Sequence, residues 1–351
     1  MMSDSTNVFP VSSMPSVKTL EGITPQNIPP SVFSSETPII LKGLIREWTL
    51  VKKGLENPNT AVEYLKSHYN GKPSGAYFGS PDIAGRYFYN EDLSDCNFSI
   101  KKTQLNEFLD NIIKHLDDTK PPSFYIASND INQHFPSLLT SNNLHFDKTV
   151  FGNVEPRASI WIGNKTLVSC HYDVLSNMAC CAIGHRRFTL FPPDQIENLY
   201  PGPFHPTPGG QVVSMVDFKD PDFAKYPKFR TALAHGMIAD LSPGDALFLP
   251  TMWWHQVEGF DKFNTLVNYW WTPAPPMMGQ ANTVLMHALL SLRDQPSIEK
   301  SAWKHIFDYY IFASPDLARE HLPEHAWGIL GESSDLRVRQ LKANILNKLN
   351  R

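Results

Sequence analysis

His171 and Asp173 stand one residue apart in Ser-Cys-His171-Tyr-Asp173-Val, and His255 follows roughly eighty residues later, at the end of Asp245-Ala-Leu-Phe-Leu-Pro-Thr-Met-Trp-Trp-His255. Alternate side chains of an extended strand share a face, so His171 and Asp173 point one way and Tyr172 the other; a helix would separate them. The turn Ser242-Pro-Gly-Asp and the apolar run after it predict another strand, leading to Trp253, Trp254 and His255. A ligand pair on one strand and a third ligand on a strand far away in sequence need a sheet that curls back on itself, as in a small β-barrel with an internal site. Two neutral imidazoles and one carboxylate on one side of a metal leave three positions free for a co-substrate and dioxygen, the arrangement non-heme Fe(II) oxygenases use. The metal ligands expected are therefore His171, Asp173 and His255, and the reaction class is a metal-dependent oxidation. His235, in Leu-Ala-His-Gly, is the weaker candidate for third ligand, because no apolar strand leads into it.

The stretch from Ser159 to Trp271 carries a longer pattern. After His171-Tyr-Asp173 come Asn177, Gly184-His-Arg186-Arg-Phe-Thr-Leu-Phe-Pro-Pro-Asp-Gln, Leu199-Tyr-Pro-Gly-Pro and Val216-Asp-Phe-Lys-Asp-Pro-Asp-Phe. Gly244-Asp-Ala-Leu-Phe-Leu-Pro-Thr-Met-Trp-Trp-His255 and Val267-Asn268-Tyr-Trp complete it. In order and spacing this resembles the JmjC branch of the cupin superfamily, and in particular its hydroxylase-type members, similar to the asparaginyl hydroxylase of hypoxia-inducible factor. About a third of the chain carries the resemblance. It implies a mainly β fold: a double-stranded β-helix (jelly-roll) core with flanking N-terminal helices and a C-terminal helical region. It also implies Fe(II) as metal, 2-oxoglutarate as co-substrate and O2 as oxidant, with decarboxylation of 2-oxoglutarate to succinate.

The distal carboxylate of 2-oxoglutarate needs a cation deep in the barrel, held by a charge-assisted hydrogen bond. Arg186 occupies the position where the resembling hydroxylases have lysine; a guanidinium grips a carboxylate through two parallel bonds but needs a differently shaped pocket. Arg187 is the rival, because a register slip of one residue exchanges the two; the apolar strand-mates Phe188 and Leu190 favour Arg186 as the inward residue. By the same resemblance Asn177 and Asn268 lie near the metal end of the co-substrate, Tyr125 donates a hydroxyl to the distal carboxylate, and Trp161 points into the barrel beside it. Val168 stands where relatives carry a hydroxyl residue, so one hydrogen bond is either missing or supplied by Ser169. Phe204, His205, Tyr226, His235 and the strand Asn268-Tyr-Trp-Trp are candidates for the entrance. Aromatic rims suit protein, peptide and small-molecule substrates alike. Hydroxylation and, for an N-methyl carbon, demethylation use the same chemistry; the insertion between Leu199 and Phe229 favours hydroxylation by resemblance. Two other readings stay open: a zinc or manganese cupin with non-oxidative chemistry, in which Arg186 is structural, and a non-catalytic interaction module.

Hydrophobic residues make up 42% of the 351 and charged residues 19%, enough for a large core in one barrel with helical flanks. A net charge of -4 gives no general attraction to nucleic acid and argues against it as a partner. Cys96, Cys170, Cys180 and Cys181 form no Cys-x-x-Cys motif, so neither a disulfide framework nor a zinc finger is expected. No basic n-region opens the chain and no run approaches twenty apolar residues, from which a cytoplasmic protein without a membrane partner is expected.

Residues 1–32, rich in Ser, Pro and Thr, are expected to wrap the surface or be partly disordered, 33–272 to form the catalytic domain, and 273–351 a helical region. Pro38-Ile-Ile-Leu-Lys-Gly-Leu-Ile reads as the first strand, Tyr77-Phe and Arg86-Tyr-Phe-Tyr as a strand pair, and the segments at 61–69 and 102–116 as helices. In the second helix Leu105, Phe108, Leu109 and Ile112 share one face. Beyond Thr272-Pro-Ala-Pro-Pro, Leu285, Ala288, Leu289 and Leu292 make one apolar stripe and Trp303, Ile306, Phe307, Tyr310 and Ile311 a second. These stripes either cover the barrel or, as the resemblance implies, join two copies in a homodimer.

Overall fold

The computed structural model describes residues 13–274 and 277–350. The chain divides into two compact units, Met1–Thr272 and Pro273–Arg351.

The first unit is a jelly-roll of the cupin type with helices on one side. Its strands run β1 (Lys18–Leu20), β2 (Ile39–Leu41), β3 (Ser74–Gly79), β4 (Arg86–Tyr87), β5 (Phe98–Thr103), β6 (Ser123–Asp130) and β7 (Arg157–Gly163). They continue with β8 (Leu167–Tyr172), β9 (Ser176–Ile183), β10 (Arg186–Phe191), β11 (Met237–Leu241), β12 (Ala246–Leu249), β13 (Trp254–Gly259) and β14 (Asn264–Trp271). One sheet has the order β1-β2-β12-β9-β14-β7-β6-β3-β5, the other β11-β10-β13-β8-β4. Alternation along the strands feeds three apolar clusters. Between the sheets, Cys181, Leu247 and Leu266 of the larger meet Phe188, Leu241 and Val257 of the smaller. On the far side of the larger sheet, Ile160, Cys180, Val267 and Tyr269 meet the helices Thr49–Glu56, Pro58–His68 and Leu105–Lys114. On the far side of the smaller sheet, Tyr172, Phe191 and Trp254 pack with Leu199, Phe218 and Phe229 from the long connection between β10 and β11. Each fully buried side chain of this size contributes about 1.5–3 kcal/mol.

The periodic helices stand where their apolar spacing puts them: Leu105, Phe108, Leu109 and Ile112 are all buried. Three expectations are corrected. The first strand is β1, which pairs parallel with β2, and Met14, Val17 and Val32 are buried, so part of this segment joins the sheet's edge and core, while residues 21–31 are exposed or half-buried; residues 1–12 lie outside the described residues. The segments at Tyr77 and Arg86 do not pair with each other. β3 pairs with β5 and β6, whereas β4 crosses to the other sheet and pairs parallel with β8, Tyr87 beside Val168. A buried carboxylate then ties β2 to the turn before β12: Asp245 accepts from Lys42 Nζ at 2.7 Å and from the backbone N–H groups of Gly43 and Ser242, both at 2.9 Å.

The second unit contains the helices Ala281–Ser291, Ser297–Phe307 and Asp335–Leu349, none of which has a buried residue. Among the described residues no helix is long and apolar enough to cross a membrane.

Candidate metal centre

β8 and β13 run antiparallel with His171 directly opposite His255. One residue of β13, Gln256, there opposes two of β8, Ser169 and Cys170, a bulge between the pairs His255–His171 and Val257–Val168. The bulge turns Val168 and His171 to the same interior side although they are three apart. Asp173 follows β8 at once, and its carbonyl accepts from Met252 N at 2.8 Å, so the turn that leads into His255 is fastened to the chain that carries the other two ligands. Met252 takes a left-handed φ of 66° to make that turn.

The ligating atoms of His171, Asp173 and His255 lie within 4.8 Å of one another. Asp173 Oδ2 is 3.7 Å from His255 Nε2, and the two imidazole rings are 4.4 Å apart, centre to centre. Each histidine donates its Nδ1–H to a carbonyl two residues back, His171 to Ser169 O and His255 to Trp253 O, both at 2.9 Å. A carbonyl can only accept, so both Nε2 atoms are left with free lone pairs, the form a metal takes up. Burial, and then the neighbouring His171, push His255 down to about 4, which keeps it neutral. Two nitrogen donors and one carboxylate, held with one side open, fit ferrous iron.

Register decides which of the two arginines faces inward. On β10, Arg186, Phe188 and Leu190 face inward, with Leu190 opposite His255; Arg187 faces outward and grips Asp240 through two bonds of 2.7 and 2.8 Å. Arg186 is 3% exposed, and among the described residues it has no carboxylate at ion-pair distance and no partner for Nε. Its neighbours are the Cys181 thiol, pushed up to about 12 by burial, and the Tyr125 hydroxyl, which burial raises and the charge of Arg186 draws back. Four residues of strand, ~13 Å, separate Arg186 from the row of His255, a gap that an arginine side chain and a five-carbon dicarboxylate bridge together.

A cavity of about 370 Å³ opens beside the triad, the size of a small-ligand site. Of the residues expected from sequence, His171, Asp173, Tyr125, Trp161 and Val168 line it; His255, Arg186, Asn177 and Asn268 are buried and are not among its lining residues. Trp161 Nε1 donates to Asn268 Oδ1 at 2.7 Å, and Asn268 Nδ2 donates to Asn177 Oδ1 at 3.2 Å, so the three form one chain of bonds. Ser169 also lines the cavity, but its hydroxyl is spent on the backbone oxygen of Tyr87 at 3.3 Å. Of the entrance candidates only Trp270 reaches the cavity. Tyr269 and Trp271 face the helices, Tyr226 packs edge-on against Tyr200, Phe204 is exposed, His205 is not among the lining residues, and His235 sits exposed on a helix, bonded to Thr231 O. The mouth is lined by Pro208, Gly209, Gly210 and Gln211 instead. Sequence reasoning did not single out Tyr77 and Tyr87 for the site; the aromatic cluster Arg86-Tyr-Phe-Tyr was the signal, and it was attached to the wrong strand partner.

A family described as a cupin-like domain matches residues 25–277. Lysine-specific demethylase 8 of Xenopus tropicalis is 27% identical over 244 residues, covering 68% of this chain and 48% of that protein. HSPB1-associated protein 1 of Bos taurus is 36% identical over 115 residues, 32% of this chain and 23% of that protein. tRNA wybutosine-synthesizing protein 5 of Gallus gallus is 25% identical over 280 residues, covering 74% of this chain and 78% of that protein. The chain thus spans about half the length of the first of these relatives and about a quarter of the second.

Proposed function

Since the chain belongs to the cupin-like domain family, in its JmjC branch, we propose that it is an Fe(II)- and 2-oxoglutarate-dependent oxygenase, a hydroxylase of a protein, peptide or small-molecule substrate. The observation that carries this reading is the pairing of an open-sided His171–Asp173–His255 set with a buried arginine that lacks a carboxylate. A lone buried cation is costly, and an anionic ligand removes that cost. A purely structural Arg186, as the zinc or manganese cupin reading requires, would have its counter-ion in the fold. Bound iron and 2-oxoglutarate supply the oxidation of a substrate C–H bond, coupled to decarboxylation to succinate.

The chain's own residues do the rest. His171, Asp173 and His255 hold the metal from one side. Arg186 and Tyr125 hold the distal carboxylate, so the 2-oxo acid end is aimed at the metal. The Trp161–Asn268–Asn177 chain fixes the amides behind that end, and the aromatic walls with the 208–211 loop keep water from the reacting centre. Hydroxylation is favoured over demethylation by the long insertion between β10 and β11. One relative bears the name of a demethylase and another that of a tRNA-modifying protein; for this chain the net charge of -4 speaks for a substrate other than nucleic acid. A homodimer through the C-terminal helices belongs to the same reading, supported by their unburied apolar stripes.

The test is succinate formation from 2-oxoglutarate. It is expected to need oxygen and ferrous iron and to vanish in His171→Ala. Failure of anaerobically purified protein to retain any divalent metal would instead favour the interaction module.

A further inference from the structure

Resting on the reading that Arg186 and Tyr125 hold the distal carboxylate of 2-oxoglutarate, we propose that the Tyr87 hydroxyl is a third donor to that carboxylate, supplying the bond that Val168 lacks the hydroxyl to make. Four observations converge on it. Tyr87 lines the cavity, is 3% exposed, and its hydroxyl has no hydrogen-bond partner. It stands beside Val168 in the parallel pairing of β4 with β8, so the two share one patch of wall. Its ring is stacked on Tyr125 at 5.5 Å and 30°, so the two phenols lie side by side in the cavity wall, and the charge of Arg186 acts on Tyr125. The nearest alternative, Ser169, is occupied: its hydroxyl donates to the Tyr87 backbone and cannot serve the ligand as well.

An unanswered hydroxyl in the interior destabilises the empty protein. A carboxylate held by Arg186 and Tyr125 would answer it. The site thus has two phenols and a guanidinium facing one anionic group. A hydroxylated side chain at 168 would duplicate Tyr87.

The experiment measures binding of 2-oxoglutarate to Mn(II)-loaded full-length protein by calorimetry, without turnover, alongside oxalate, a metal chelator with no distal carboxylate. Tyr87→Phe is expected to weaken 2-oxoglutarate about 10-fold, as loss of a charge-assisted bond does. It should leave oxalate binding unchanged, and Val168→Thr added to Tyr87→Phe should recover most of the loss. The metal-free Tyr87→Phe protein should melt no lower than wild type. The proposal is overturned if Tyr87→Phe binds 2-oxoglutarate within twofold of wild type, if oxalate weakens equally, or if the threonine brings no recovery. Wild-type protein that does not bind 2-oxoglutarate at all would remove the oxygenase reading, and this inference with it.

Discussion

At the scale of single residues, the two arginines of β10 make opposite contributions. Arg187 spends its charge on Asp240 at the surface, where such a pair is worth about 0–1 kcal/mol. Arg186 keeps its charge buried, with no carboxylate at ion-pair distance among the described residues and no partner for Nε. Arg186→Met is therefore expected to leave the ligand-free protein as stable as wild type or more so, by on the order of 1 kcal/mol in urea unfolding, while abolishing 2-oxoglutarate binding. Arg187→Ala should leave binding intact. The reverse pattern would make Arg186 a structural residue. His255 gives a pH signature. Burial lowers it from 6.5 to about 4, so between those values the unfolded chain takes up a proton that the folded chain refuses. The stability of the metal-free protein is then at its full value above about pH 6.5 and falls as pH drops toward 4, and His255→Gln should flatten that part of a melting-temperature profile. Both residues were legible because strand periodicity assigns sides: His171 with Asp173, and Arg186 with Phe188 and Leu190. Tyr87 was not, since alternation tells which face a side chain takes and says nothing about which sheet its strand joins.

At the scale of elements the same limit recurs. The helix Leu105–Lys114 could be read from its 3.6-residue period, and β12 from an apolar run after a turn, but the single strand expected to lead on to His255 is two, with β12 in the larger sheet and β13 in the smaller. β5 escaped notice because Phe98–Thr103 is exposed along most of its length, as an edge strand is, and shows no buried alternation. The pairing of β3 with β4 was a reasonable expectation for neighbours in sequence, and what breaks it is local. Gly85 sits at φ 81°, with its carbonyl accepting from Leu167 N at 2.7 Å and its N–H donating to Ser123 Oγ at 3.0 Å, so the chain leaves the larger sheet there and enters the smaller. A Cβ at this position would stand 2.2 Å from the backbone oxygen of Lys165. Gly85→Ala combines that clash with a left-handed backbone that alanine resists, and is expected to cost about 2 kcal/mol or more. Because β4 carries Tyr87, the same change should also weaken 2-oxoglutarate binding. A urea midpoint equal to that of wild type would show that β4 is free to move.

At the scale of the whole molecule, one unit holds the site and the other holds an apolar surface. In residues 273–351, Leu285, Trp303, Ile306, Tyr310 and Ile311 are each more than two-fifths exposed, on the stripes that helical spacing lays out. Leu285, Leu289, Leu292, Trp303 and Phe307 line an apolar groove of about 390 Å³ within that unit. A surface of this composition left to water favours association, since roughly 25 cal/mol is gained for each square ångström of apolar area covered. A second copy would bring the same stripes, and a two-fold pairing lets one patch serve both partners. The full-length protein is accordingly expected to sediment as a dimer at micromolar concentration. A charge placed in the stripe, by Trp303→Glu or Ile306→Glu, should convert it to a monomer whose affinity for metal and 2-oxoglutarate, set by residues 87–268, is unchanged. Wild-type protein that stays monomeric at the highest soluble concentration would end the dimer reading and leave the oxygenase reading standing, because among the described residues the candidate metal ligands and the cavity wall all come from the first unit.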